Sequence, residues 1–171
     1  MDTDATEVAA LREAIAGLVL RIDRLEQSPA VVPAPRSDTF WALEGLKDRV
    51  GPPGAVVYAG AVSVAAGPVE WQITLPTHAL LDQDWAPFAH GLAALGNPVR
   101  LSLLHAIIAG ATTVTELSAG EGMGTTGQLY HHLGQLVSSG WLVAGGRGHY
   151  SIPAERVVPL LVILAASRRI P

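Results

Sequence analysis

The chain has 171 residues, 49% of them hydrophobic and only 15% charged, with a formal net charge of −4. That length suits one domain with an attached element, and so apolar a composition excludes disorder along the whole chain. The absence of cysteine excludes disulfides, zinc–thiolate sites and thiol redox chemistry.

A membrane partner is not expected either. The longest apolar run near either end, 157–166, is broken by Pro159, and a spanning helix needs about 20 apolar residues. The start, Met-Asp-Thr-Asp-Ala-Thr-Glu, is acidic and lacks the basic opening of a signal peptide, so the expected compartment is cytoplasmic. All basic residues except Lys47 are Arg, a skew that suits a GC-rich bacterial genome. The acidic total argues against nucleic acid, but the charge is divided. Residues 1–96 carry 6 Lys/Arg against 12 Asp/Glu, a balance of −6; residues 97–171 carry 5 Arg against 3 Glu, a balance of +2.

In chain order, residues 1–27 show a heptad repeat. Val8, Ile15 and Ile22 occupy a; Leu11, Leu18 and Leu25 occupy d. β-Branched a with Leu at d favours a parallel two-stranded coiled coil. Glu7 would face Arg12, and Arg21 would face Glu26, across it. The alternative is an amphipathic helix packed on its own domain, which Val19 and Leu20 favour by widening the stripe. Residues 28–38, with three prolines, read as a linker.

Residues 39–94 form a connecting segment. Thr39 is placed to cap a short helix, FWALEGLKDRV, that ends at Gly51-Pro52-Pro53-Gly54. Val56, Tyr58, Val62 and Val64 alternate in one strand; Val69, Trp71, Ile73 and Leu75 alternate in the next, around an Ala65-Ala66-Gly67-Pro68 turn. A helix is predicted over 82–95, with Asp82 or Asp84 near its start. This segment holds most of the aromatic residues. Trp41, Tyr58, Trp71 and Trp85 either build a core or line a small-molecule effector pocket.

From Gly96 the pattern changes. Asn97-Pro98 opens a helix to Ala109, Thr113 starts a short helix, and a glycine-rich turn leads to a longer helix over 125–139. Two short strands, 141–144 and 149–152, are joined by Gly145-Gly146-Arg147-Gly148, and an apolar helix ends the chain. That order, helix, short helix, turn, longer helix and hairpin, is that of a winged helix-turn-helix. On the longer helix, Leu129, Leu133 and Leu136 define a buried face. Gln128, His131, Gln135 and Ser138 fall opposite, with Gly127 and Gly134 beside them. Amides and an imidazole can bond base edges, and the first-turn amides of Thr125, Thr126 and Gly127 suit a phosphate. Tyr130 flanks this face, and His132 lies nearer the buried side, as a packed and hydrogen-bonded histidine. Arg147 at the hairpin tip could enter a minor groove or touch phosphate, with His149 a weaker candidate.

Several pieces in order sharpen this. Leu95, Gly96, Pro98, Arg100 and Leu101, then His132, Leu133, Leu136, Gly140 and Trp141, then Arg147 and Tyr150, make residues 95–153 resemble the winged-helix core of ArsR-type (arsenical-repressor-like) bacterial regulators. The resemblance implies a homodimer that binds a near-palindromic double-stranded operator and represses by occluding the promoter. The zipper would hold the subunits together with the helix of 154–171, through Leu160, Leu161 and Leu164. The expected fold class is mainly α with small β: a winged helix-turn-helix preceded by a β-hairpin/helix segment and an N-terminal coiled-coil helix.

Metal and catalytic chemistry find no foothold. The last helix has no His, and adjacent His131 and His132 point about 100° apart, so neither a metal nor another cofactor is expected. No phosphate loop or nucleophile elbow occurs, and nothing brings Glu44 and Glu70 together, so the chain does not read as an enzyme. A protein-interaction scaffold, in which the zipper pairs with another protein, and a small-molecule-responsive regulator sensing through 39–94 are the alternatives.

Overall fold

A computed structural model describes residues 12–21, 40–120 and 124–168. The chain divides into two units, Met1–Gly45 and Leu46–Pro171. In the first, residues 12–21 form helix α1. Its Ile15 and Leu18 are 55% and 57% exposed, as are Val19 and Leu20 to a similar degree. The other heptad positions, Val8, Leu11, Ile22 and Leu25, lie outside the described residues, as does the linker. Helix α2, Trp41–Lys47, crosses the division between the units.

The second unit is mixed α/β. Its first two strands are longer than the spacing predicts, and its last two are shorter, Val143–Ala144 and Tyr150–Ser151 in place of 141–144 and 149–152. Strands β1 (Ala55–Val64) and β2 (Gly67–Pro76) form a ten-residue antiparallel hairpin. Its two-residue turn is Ala65-Ala66, and Gly67 takes the positive φ, 121°, that follows. The expected alternation holds: Tyr58 pairs with Ile73, Gly60 with Trp71 and Val62 with Val69 on one face. Thr77 N donates to Gly54 O at the base of the hairpin, and Ala65 N donates to Ile108 O at its tip.

The helix predicted over 82–95 starts late, and a separate short helix that the sequence did not suggest precedes it. Helix α3 is Thr77–Leu81, and α4 begins only at Phe88 and runs to Leu95. Pro87 lacks a donor and disfavours helix in the residue before it. Asp84 Oδ1 instead accepts from Ala86 N within the intervening turn, and Trp85 Nε1 donates to Leu80 O.

Helices α5 (Pro98–Ile108), α6 (Val114–Ser118) and α7 (Thr126–Ser138) follow, then β3 (Val143–Ala144), β4 (Tyr150–Ser151) and α8 (Ala154–Ala166). The L-G-N-P-V-R run is explained by local chemistry. Asn97 caps α5 by accepting from Arg100 N, and Pro98 sits in the first turn where its missing N–H costs nothing. The Arg100 guanidinium then reaches back to the carbonyls of Ala93 and Ala94 that end α4, where a cation suits the helix dipole. The core is leucine-rich: Leu103, Leu104, Leu117, Leu129, Leu133, Leu136, Leu142 and Leu160 are all essentially inaccessible.

Helix α8 corrects an expectation. It packs across both strands of the β1–β2 hairpin, and Leu160 is only 1% exposed. Leu160 is therefore spent inside its own subunit, and only Leu161, half-buried, and Leu164, 39% exposed, could meet another chain. Gly60 admits the helix: a Cβ there would lie 2.9 Å from Val158 Cγ1. Gly60→Ala should therefore destabilise by about 1–3 kcal/mol, although Ala ordinarily outperforms Gly in a strand. Chemical denaturation of the Gly60→Ala/Val158→Ala pair should show the two losses to be less than additive; strict additivity would remove the contact from the account.

Candidate nucleic-acid interface

Helices α6 and α7 both open on capping boxes. Thr113 caps α6 and Glu116 reaches back. Glu116 Oε2 accepts from Thr112 N, Thr113 N and Thr113 Oγ1, each at 2.9 Å. The bond from the Thr113 backbone first, then its hydroxyl, then Thr112, holds this carboxyl below its usual 4.5. Thr125 caps α7 in the same way. Its hydroxyl accepts from Gln128 N, while Gln128 Oε1 accepts from Thr125 N at 2.9 Å. Gly124, at φ 70°, leaves the room that a Cβ would deny to the Gln128 amide.

This changes the part assigned to Gln128. Its carbonyl oxygen closes the helix end instead of facing outward, so it cannot make a bidentate base contact without uncapping α7. Thr125 is likewise the cap. Thr126, Gly127, His131 and Gln135 are exposed, and Tyr130 is 51% exposed. Ser138 lies on the same side, but its hydroxyl donates to Gln135 O in its own helix. Leu129, Leu133 and Leu136 are buried, as the helical spacing requires. The stripe left outward carries no formal charge. Neither Gly127 nor Gly134 is demanded by its surroundings: a Cβ would meet only Thr125 Oγ1 at 4.0 Å in the first case and nothing within 4 Å in the second.

The far end of α7 is fixed by chain reversal at Gly140, φ 73°. Trp141 N donates to Leu136 O and Gly140 N to Val137 O, the paired bonds of a Schellman stop. Trp141 is buried, its Nε1 donates to Gly91 O at 2.9 Å, and the Arg156 guanidinium lies 5.3 Å from its ring centroid. Arg156, an exposed cation beside the end of α7, was missed in the sequence. Only the approach of its guanidinium to the Trp141 ring reveals it.

Strands β3 and β4 pair Val143 with Ser151 and Ala144 with Tyr150. Gly145 N donates to His149 O across the loop, and Tyr150 N donates to Thr112 O. A bridge between Thr113 and His149 completes the attachment to the start of α6. His149 is exposed, with Nδ1 3.4 Å from Thr112 Oγ1, so it belongs to the seam between hairpin and α6. Arg147 is exposed at the tip and takes φ 60°, ψ 34°, a left-handed conformation that costs a side-chain-bearing residue about 1–2 kcal/mol.

Trp41 and Trp85 are 68% and 63% exposed, while Tyr58 and Trp71 lie on one face of the hairpin. Exposed apolar side chains recur at Leu81, Trp85, Phe88 and Leu92. No group of three or more metal-ligating side chains gathers among the described residues. No single described helix is long and apolar enough to cross a membrane. No family model, curated protein or solved structure matches the chain.

His132 is packed, half-buried on α7, but the expected hydrogen bond is missing at its Nδ1, which has no partner. Burial, then the charges of Arg100 and His131, push its pKa below the usual 6.5. The unfolded chain therefore takes up this proton more readily than the folded one. Stability from this site is complete above about 6.5 and declines as the pH falls through that value. Thermal melts from pH 8 to pH 5 should show a steeper loss for the native chain than for His132→Leu; parallel curves would place the acid sensitivity elsewhere.

Proposed function

We propose that the chain is a DNA-binding transcriptional regulator of the ArsR-like winged-helix class, acting in the cytoplasm as a homodimer on double-stranded DNA. The observation that carries this reading is the outward face of α7: uncharged, polar and glycine-bearing, with two glycines that no intramolecular contact explains. A solvated helix face normally gains from Ala at such positions by about 1 kcal/mol each. A backbone that must come close to a phosphodiester chain gains from Gly. In this reading α7 lies in the major groove, His131 and Gln135 reach base edges, and Thr126, Gly127 and Tyr130 contact phosphates. Arg147 on the hairpin tip supplies the cation for an adjacent groove or strand. Exposure of Ile15 and Leu18 supports a seam that a second α1 would cover. Repression by occlusion follows from the resemblance alone.

A protein-interaction module is the second reading, and the exposed Leu81, Trp85, Phe88 and Leu92 favour it. A gel shift on the DNA upstream of the chain's own coding region separates the two. A regulator should be retained, with a shallow salt dependence because few cations face the DNA; a scaffold should show no salt-dependent retention. Three variants give the result its detail. His131→Ala/Gln135→Ala should lose the preference for the operator over random DNA. Arg147→Ala should weaken both about equally. Gly134→Ala should raise the melting temperature yet lower operator affinity, and unchanged affinity in all three would remove α7 as the reading element.

A further inference from the structure

The β1–β2 hairpin has two outer edges, and they are unlike. Because Val64 and Gly67 close the turn as a directly opposed pair, the main-chain groups alternate along each strand between facing the partner and facing outward. In β2 the outward positions include Pro68, Glu70 and Pro76. Two of them have no N–H, and one carries a charge, which are the devices that blunt a sheet edge. In β1 the outward positions include Val57, Ala59, Ala61 and Ser63. That strand, AVVYAGAVSV, has no proline and no charge along ten residues. Among the described residues, no main-chain bond from another element reaches those four positions.

We propose that the β1 edge is an interaction surface for the β1 edge of a second copy of this chain, paired antiparallel into a continuous four-stranded sheet. Two observations select an identical strand over a foreign peptide. The edge has no charge with which to recognise a charged segment, and two copies meet there without like-charge repulsion. Ala59, Ala61 and Ser63 are small and exposed, so their counterparts fit opposite without a clash. A pairing of this length makes roughly ten main-chain hydrogen bonds, the number found in a protein–protein interface of standard size.

The two-fold axis of such a pair is perpendicular to the sheet. Both copies of α8 then lie on the same face of the sheet, with Leu164 exposed and Leu161 half-buried on each. The surface stands on the hairpin alone and not on the DNA-binding reading, and its test uses no DNA.

The cysteine-free sequence makes that test direct. Single variants Val57→Cys, Ala59→Cys, Ala61→Cys and Ser63→Cys of the full chain are oxidised at low micromolar concentration and run on non-reducing gels. Antiparallel self-pairing should give a covalent dimer of twice 17.8 kDa, with a yield that peaks near one point along β1 and falls on both sides. Adding Ala59→Pro to a crosslinking variant at another position should abolish the dimer, because the proline removes an outward donor while sparing the bonds to β2. A flat profile, no crosslink at any position, or a crosslink that survives the proline would each overturn the proposal.

Discussion

Full burial of Leu129, Leu133 and Leu136 against α5 and its neighbours sets the rotation of α7, and what that helix can present follows from it. With three leucines fixed on one side, His131 and Gln135 have no place but the other. The flanking devices hold this rotation at both ends. Thr125 and Gln128 satisfy the first orphan donors, and Gly140 with Trp141 satisfies the last acceptors. Trp141 then ties the end of α7 to α4 through Gly91. A turn of α7 by even one residue would bury an imidazole or an amide without a partner, at a cost of about 1–3 kcal/mol.

Much of this was legible in the sequence because it follows from spacing. The Leu129, Leu133 and Leu136 period, the alternation of β1 and β2, the Asn97-Pro98 start and the Gly140 stop are local signals with one physical meaning each. What spacing could not give is how a side chain chooses between equivalent uses. Gln128 projects from the first turn of α7 in any reading, and only the geometry of Gly124 and Thr125 shows its amide folded onto the helix end. Leu160 belongs to an apolar helix in any reading, and only the long-range contact with the hairpin shows which chain covers it. Pro87 holds the start of α4 back to Phe88, a local signal that stands against a helix over 82–95.

The proposed site also contains residues that are the wrong choice for stability alone. Gly134 occupies an exposed helix position where Ala would fit and would stabilise by about 1 kcal/mol. Arg147 occupies a left-handed position where Gly would fit. The two departures run in opposite directions: a side chain is missing where one is affordable, and present where none is comfortable. Composition bias does not produce both, because a glycine-rich chain would place glycine at 147 as readily as at 134. A single requirement does account for both, namely a surface that must approach something closely along α7 and grip it with a cation beside α7. A polyanion with a groove has that shape, and strain held at an exposed hairpin tip is more readily understood as part of such a contact than as part of the fold.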